Sequence, residues 1–365
     1  MMLPNGWKKS KIGETCSLLS GQDFPPNLYG NEEKGMPYIT GASNFAGNHI
    51  ILNRWTEHPK NIAKKGDILL VCKGSGFGIT AIADFEKAHI ARQLMALQNL
   101  NGVDRDFLYQ VVSMNVRNIK QKGCGLIPGI DRKTVLNIEY LLPPIEEQKK
   151  IAATLSVWDS AIEKMEKLIE AKECGHAVLM NEMLKNSKTW SCTCLSDMAT
   201  IKKGKQLNAV DMISDGAYYV MNGGITPSGN TDDWNTAENT ISISEGGNSC
   251  GFVAFNKEKF WAGGHCYTLI DLNENISVRF LFHYLKNMEK EIMAVRVGSG
   301  LPNIQKDSIS DIKVFYPSKK GQERISGVLD DSLSEIALLK QQLENYKKQK
   351  QGLMQKLLTG QWRVK

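Results

Sequence analysis

Arginine, glutamine, asparagine and serine can pair with base edges, because each offers donors or acceptors at the spacing a base presents. In this 365-residue sequence they fall in short polar clusters that occur twice. Tyr38-Ile-Thr-Gly-Ala-Ser-Asn44 parallels Tyr219-Val-Met-Asn-Gly-Gly224, and Ala91-Arg92-Gln93 parallels Gly264-His265-Cys266. Lys120, Lys122 and Arg132 flank a Gly-Leu-Ile-Pro turn, as Arg296, Asn303 and Lys306 flank its later counterpart. A glycine-rich segment, Cys72-Lys-Gly-Ser-Gly-Phe-Gly78, is matched by Glu245-Gly-Gly-Asn-Ser-Cys-Gly251. Glycines permit close backbone approach and positive φ, so such a loop can lay amides against a phosphate or a base edge. A tight turn between two strands reads equally well from either copy alone. The segment is not a Walker loop, since no Gly-Lys-Ser/Thr closes it.

The candidate DNA-contacting residues are therefore Thr40, Ser43, Asn44, Lys73, Ser75, Arg92, Gln93, Lys120, Lys122 and Arg132 in the first half. In the second half they are Lys202, Lys203, Lys205, Asn222, Asn248, Ser249, His265, Arg296, Asn303 and Lys306. The lysines suit phosphate, which positions a protein without reading sequence. Lys202, Lys203 and Lys205 also read as a solvated face, and His265 as a structural rather than a catalytic histidine. Lys73 in one loop and Glu245 in the other is the divergence expected of two readers of different sequences.

What positions these clusters is a repeat. Pro143, Gln148, Ile151, Leu155, Ile162, Leu179, Met180 and Leu184 recur 174 positions later, as Pro317 through Leu358. Gly123-Cys-Gly-Leu126 recurs as Gly298-Ser-Gly-Leu301, and Phe107-Leu108 as Phe280-Leu281. Trp7 and Gly21 recur as Trp190 and Gly204, 183 positions on. The offset drifts in the globular part of each half and locks in its tail.

The tails read as helices with a heptad seam. The first seam runs Leu155, Trp158, Ile162, Met165, Ile169, Lys172, His176, Leu179 and Met183. The second runs Leu329, Ser332, Ile336, Leu339, Leu343, Tyr346, Lys350, Leu353 and Leu357. Prolines at 143, 144 and 317 mark where each helix has not yet begun, and Gly360 marks an end. The alternative is that each helix packs only on its own domain. Paired antiparallel, helices of roughly 54 Å would set two heads apart by an approximate two-fold axis, matching the symmetry of duplex DNA. That length corresponds to roughly 12–15 base pairs. The expected fold class is α+β: two mixed α/β domains, 1–146 and 188–320, separated by two long antiparallel coiled-coil helices, 147–187 and 321–362.

Composition bounds the function classes. Hydrophobic residues make up 42% and charged residues 23%, as in soluble globular proteins. No apolar run is long enough to span a bilayer, so no membrane partner is expected, and cysteines read as reduced make a cytoplasmic protein the expectation. None of the eight cysteines forms a Cys-x-x-Cys pair, so reduced, structural thiols and no metal are expected. The net charge of +6 is unevenly spread: +5 over 1–144, −2 over 145–186, −2 over 187–317 and +5 over 318–365. A basic first part suits a nucleic-acid partner; the acidic third part argues against gripping DNA by charge alone.

The sequence resembles the specificity subunit of type I restriction-modification systems. The resemblance rests on Leu142-Pro-Pro-Ile-Glu-Glu-Gln-Lys-Lys-Ile-Ala152, on Leu353-Met-Gln-Lys-Leu-Leu-Thr-Gly-Gln-Trp-Arg363, and on Gly6-Trp7, Gly66-Asp67 and Gly125-Leu-Ile-Pro128. It covers essentially the whole chain. Tyr316-Pro-Ser-Lys319 departs from the pattern, lacking the second proline and the acidic pair. The resemblance implies two target-recognition domains, each reading one half of a bipartite, asymmetric double-stranded site. It implies that the helices dock two methyltransferase subunits, with the seam residues as their partner-docking and coiled-coil face, joined by motor-endonuclease subunits. S-adenosylmethionine, ATP and magnesium would belong to those partners, leaving this chain non-catalytic and without a cofactor. Leu142-Pro-Pro-Ile145 agrees, having an apolar residue where an amino-methyltransferase needs a catalytic amide or acid. The rival readings are a self-contained methyltransferase or nuclease, and a coiled-coil scaffold with protein-binding end domains. Incubation with labelled methyl donor separates the first, and a lost footprint on adding partner subunits favours the second.

Overall fold

The computed structural model describes residues 3–47, 49–74, 76–121, 129–296 and 302–364. Ser75, Lys122 and the Gly-Leu-Ile-Pro turn lie outside the described residues, as does the Gly298–Leu301 counterpart. The chain divides into two compact units: Met1–Leu168 with Lys340–Lys365, and Ile169–Leu339.

In unit 1, the all-apolar strand β6 (Ile68–Val71) sits inside the sheet β2-β9-β6-β7, with β2 (Ser17–Ser20), β7 (Thr80–Ile82) and β9 (Leu94–Gln98). Its side chains alternate between two cores. Ile68 and Leu70 face helix α1 (Arg105–Gln121), while Leu69 and Val71 pack with Ile39, Ala63 and Ile90 of a second sheet. Burial on both faces is why the run shows no polar alternation. The second sheet pairs β3 (Met36–Ile39) in parallel with β8 (Lys87–Ile90), flanked by β4 (Trp55–Thr56) and β5 (Ile62–Lys64). Two strands near the ends of the globular part, β1 (Lys8–Lys11) and β10 (Glu139–Leu142), pair antiparallel and close it.

Unit 2 has the same plan. The sheet β12-β18-β15-β16 joins Thr200–Lys203, Cys266–Ile270, Thr240–Ser244 and Val253–Asn256. A smaller sheet holds β13 (Tyr218–Met221) between β14 (Gly229–Thr231) and β17 (Trp261–Ala262), and β11 (Ser191–Cys194) pairs with β19 (Lys313–Tyr316). Strand β15 alternates: Ile241 and Ile243 enter the core beside helix α3 (Val278–Asn287). Ser242 and Ser244 face the smaller layer and are buried with hydrogen bonds. Among the described residues, the buried apolar cluster of that layer is Met221, Phe260, Ala262 and Cys266.

The tails are helices α2 (Ile145–Met183) and α4 (Lys319–Leu358), of 39 and 40 residues. A glutamine clips each to its unit. Gln148 accepts from the Asp104 amide at 2.7 Å and donates to the Pro143 carbonyl at 2.9 Å. Gln322 does the same with Ser277 and Pro317, at 2.8 and 3.0 Å. This satisfies an orphan amide at the start of α1 or α3 and an orphan carbonyl before the long helix. The helices run antiparallel inside each unit. In unit 1 the ion pairs are Asp159–Lys350 and Glu166–Lys347 (2.9 Å), with Trp158 edge-on to Tyr346. In unit 2 they are Lys172–Glu335 at 2.6 Å and the His176–Ser332 hydrogen bond at 3.1 Å. The mixed, repeated architecture with long antiparallel helices is the one expected from the sequence. The helix ends also join the domain cores: Leu155, Met354 and Leu357 in unit 1, Leu179, Leu184 and Leu329 in unit 2. Among the described residues no helix is long and apolar enough to cross a membrane.

Candidate nucleic-acid interface

Three loops of unit 1 meet on one spot. They follow β3, β6 and β8. A β-carbon on Gly41 would come within 2.8 Å of the Gln93 carboxamide oxygen, and one on Gly76 within 2.1 Å of Ala42. The Cys72 amide donates to the Gln93 carbonyl at 2.8 Å, and the Cys72 carbonyl accepts from Ile130 at 2.9 Å. Lys73 bridges to Gly129, and the Lys120 stem on α1 lies 3.5 Å from where Gly78 would carry a β-carbon. Ser43, Lys73, Arg92, Gln93 and Lys120 are exposed around this spot, and Thr40 is half-buried. Arg92 is tied to Asp23 at 3.0 Å but keeps 71% of its side chain exposed.

Two candidates differ from expectation. Asn44 is 1% exposed, and its carboxamide is spent inside the loop. Its oxygen accepts from Thr40 and Gly41, and its amide donates to Ile51 and Asn53. It shapes the loop and has no edge left to pair with a base. Arg132 donates from its guanidinium to the Leu18 carbonyl on β2.

Unit 2 repeats the frame bond for bond. The Glu245 amide donates to the His265 carbonyl at 2.9 Å, and the Glu245 carbonyl accepts from Ile304 at 2.8 Å. Gly246 bridges to Asn303 as Lys73 does to Gly129. Gly74 and Gly78 have φ of +86° and +92°; Gly247 and Gly251 have +76° and +91°. L-residues resist that conformation, which is why glycine stands at both places twice. Ser244 and Ser249 both donate to the Gly223 carbonyl at 2.5 Å, and the Asn222 oxygen accepts from the His265 amide at 3.3 Å. Asn248, His265 and Arg296 are exposed, as are Lys202, Lys205 and Lys306; Asn303 is half-buried.

Glu245 stands where unit 1 has Cys72, as the match of the two glycine-rich segments has it, so Lys73 is not its counterpart; His265 stands where unit 1 has Gln93, one residue on from the Arg92 that the sequence match pairs with it. Glu245 is therefore no exposed counter-charge to Lys73. Its side chain is 5% exposed, and one oxygen takes the Lys203 ammonium at 2.5 Å and the Tyr267 hydroxyl at 2.9 Å. Burial and the adjoining carboxylate push the Tyr267 hydroxyl up to about 12, keeping it a donor. Tyr267 was not singled out from sequence, because a tyrosine inside an apolar strand run carries no local signal.

A second duplicated feature went unread in the sequence. In unit 1 a cleft lies between β7, α1 and α2, lined by Ile82, Asp106, Tyr109, Ser156, Asp159 and Ser160. In unit 2 the same places hold Phe255, Arg279, Phe282, Asp330, Leu333 and Ser334. Gln110 and His283, 2% and 0% exposed, occupy one equivalent position beneath these clefts. Gln110 donates to Asp159 at 2.7 Å and His283 Nε2 to Asp330 at 2.8 Å. Burial opposes ionising Asp330, yet hydrogen bonds from Arg279 and His283 hold its carboxyl below the usual value. Burial pushes the His283 pKa down.

Buried thiols do not supply a nucleophile. Desolvation pushes Cys16 up to about 11 and Cys266 to about 12, so neither ionises near neutrality. The seam residues are all shielded, buried or half-buried: Leu155, Trp158, Ile162, Met165, Ile169 and Leu179 on α2, and Leu329, Ile336, Leu339, Leu343, Leu353 and Leu357 on α4.

The family model described as type I restriction modification DNA specificity domain matches residues 4–173 and 187–347. A putative type I specificity subunit of Mycoplasma genitalium is 30% identical over 43% of this chain and 42% of its own length. One from Mycoplasma pneumoniae is 31% identical over 48% and 47%. The chain thus spans under half the length of each of these two relatives. The specificity subunit of the MjaVIII type I restriction enzyme of Methanocaldococcus jannaschii is 23% identical over 100% of this chain and 95% of its own. In fold, the chain is similar to the crystal structure of a type I restriction-modification S subunit from M. genitalium, at TM-score 0.65 and 22% identity. That similarity covers 98% of each chain.

Proposed function

The chain belongs to the type I restriction modification DNA specificity family, and from that premise we propose that it reads a bipartite, asymmetric DNA site on behalf of a larger complex. The loop cluster of each unit takes one half-site. Helices α2 and α4 fix the spacing and dock two methyltransferase subunits, with the duplicated clefts offering each the same footing. Motor-endonuclease subunits complete the complex. S-adenosylmethionine, ATP and magnesium are bound by those partners, and this chain performs no chemistry of its own. It works on double-stranded DNA in the cytoplasm.

One observation supports this most: the same backbone frame is built twice with different side chains on it. Gln93 is exposed on it once and His265 the second time, with Cys72 and Glu245 buried behind them. A frame held constant while the presented groups change is what reading two different half-sites with one scaffold requires. Sequencing the methylome of the host with and without this gene tests it. The expected result is a split motif, with a gap of about 5–8 base pairs, that disappears with the gene. A contiguous motif, or methylation indifferent to the gene, refutes the reading. Bound alone, the chain should hold DNA weakly; with its methyltransferase partners, tightly and with steep salt dependence.

A further inference from the structure

Glu245 is a carboxylate nearly sealed in unit 2, and among the described residues one of its oxygens is satisfied and the other is not. Oε1 takes Lys203 and Tyr267; Oε2 is buried and has no hydrogen-bond donor among the described residues. A buried carboxylate oxygen without a donor costs free energy, so the site is built around a partner still to be engaged. The side chain facing Oε2 is His265, with Nδ1 at 3.5 Å. The imidazole is 60% exposed, at the mouth of the loop cluster, while its backbone is pinned on both sides by Asn222 and Glu245. Only the ring is free to move, and a small rotation brings Nδ1 into hydrogen-bond range.

We propose that His265 is the specificity-determining residue of the half-site read by unit 2, with its tautomer set by Glu245; this rests on the DNA-reading function above. With Nδ1–H donated to Oε2, Nε2 is left as an acceptor facing outward. An acceptor there selects a base edge that presents an amine: adenine N6 or cytosine N4. A carboxylate behind a histidine fixes tautomer and ring orientation in the same way at metal sites. Unit 1 has no such arrangement. Cys72 and Gln93 stand at the equivalent positions, and a glutamine amide offers donor and acceptor without a carboxylate to choose between them. The two heads therefore differ in kind at this point.

Glu245→Gln makes the test specific. Glutamine keeps the oxygen that serves Lys203 and Tyr267 and turns an amide N–H toward His265 Nδ1. That forces the opposite tautomer, with Nε2–H a donor, which selects an acceptor edge on guanine or thymine. In host strains carrying each variant on the chromosome, methylome sequencing reads the motif. For wild type, one position of one half-motif is an amine-bearing base. In E245Q its preference over the carbonyl-bearing alternatives falls by at least about tenfold and moves toward them, with the other half unchanged. In H265A, an exposed site that folding tolerates, that single position becomes degenerate. Should E245Q abolish methylation, H265A alone decides. A motif unchanged in H265A, or altered in both halves, overturns the assignment of His265 while leaving the bipartite reading intact. A wild-type strain with no gene-dependent split motif instead overturns the functional reading itself, and this proposal with it.

Discussion

His89 is a histidine whose protonation state is set by its hydrogen-bond partners. It is fully buried in unit 1, stacked on Phe24 with centroids 4.3 Å apart. Its Nδ1 accepts from the amides of Asn61 at 3.1 Å and Lys60 at 3.3 Å, and its Nε2–H donates to the Gln22 carbonyl at 2.7 Å. That pattern admits only the neutral ring. Burial pushes its pKa down, as it does for His176 and His283. A histidine whose folded value lies below its unfolded one, about 6.5, is taken up neutral at full stability above that pH. The unfolded chain then binds the extra proton as pH falls, so stability is lost toward the depressed folded value. Urea midpoints should therefore fall between about pH 8 and about pH 5.5. His89→Gln keeps an acceptor for the two amides and a donor for Gln22 but cannot titrate. It should cost about 1–2 kcal/mol at the higher pH through lost ring packing, yet flatten the acid slope. An unchanged slope would remove His89 from the account. Residue identity alone found the loop cluster, because glycine and short polar side chains have few uses in combination. It could not find the state of Asn44 or Glu245, because Asn44 is spent on the path its own loop takes and Glu245 on Lys203 and Tyr267 of other strands. Asn44 and Lys73 look alike as polar loop residues; one is sealed and the other open.

At the scale of elements, the long helices were the most legible, since a heptad seam declares itself over many turns. Lys350 sits on that seam with 10% of its side chain exposed and reaches Asp159, itself 20% exposed and also held by Gln110. A lysine on a seam is an anomaly in a hydrophobic pattern and is explained by that partner. Lys350→Met should destabilise the chain by about 1–3 kcal/mol, since it leaves Asp159 half-buried with only an amide donor. Adding Asp159→Asn should restore much of that loss, and a thermal double-mutant cycle reads the coupling. A neutral or stabilising Lys350→Met on its own would mean the pair contributes nothing. The strands were far less legible. All those described have two to five residues and several are buried on both faces, so neither alternation nor length announces them. Strand β1 pairs with β10, whose partner residues lie more than a hundred positions away, and no local pattern encodes such a pairing. Strand β15 was readable because its polar face is lined by serines, and β6 as a short apolar run opened by the Lys65-Gly66-Asp67 turn, though its burial on both faces was not.

For the whole molecule, the repeat makes each globular part an exchangeable module, and the closing strands say where its ends are. In unit 2, Ser191 is registered with Tyr316 and Cys194 with Lys313 across one antiparallel ladder. In unit 1, Lys8 is registered with Leu142 in the same way. Entry and exit of each head are therefore neighbours on one two-stranded ribbon, at the foot of a long helix. A segment whose ends meet can be replaced without redrawing the path of the chain around it. Each head also has its own hydrophobic core, so the replacement brings its packing with it. What must be kept is the glutamine clip: Gln322 reaches the Ser277 amide, and a transplanted head must supply an equivalent amide at the start of its own helix. Replacing residues 191–316 by the matching stretch of a relative of different specificity should thus yield a stable chain. Its methylome should keep one half-motif and the gap length, and exchange only the other half. The clip predicts a further dependence: the same hybrid carrying Gln322→Ala should lose stability by about 1–3 kcal/mol, with no change in which bases are read. A hybrid that altered both half-motifs, or shifted the gap, would show that the heads are not independent readers on a common pair of helices.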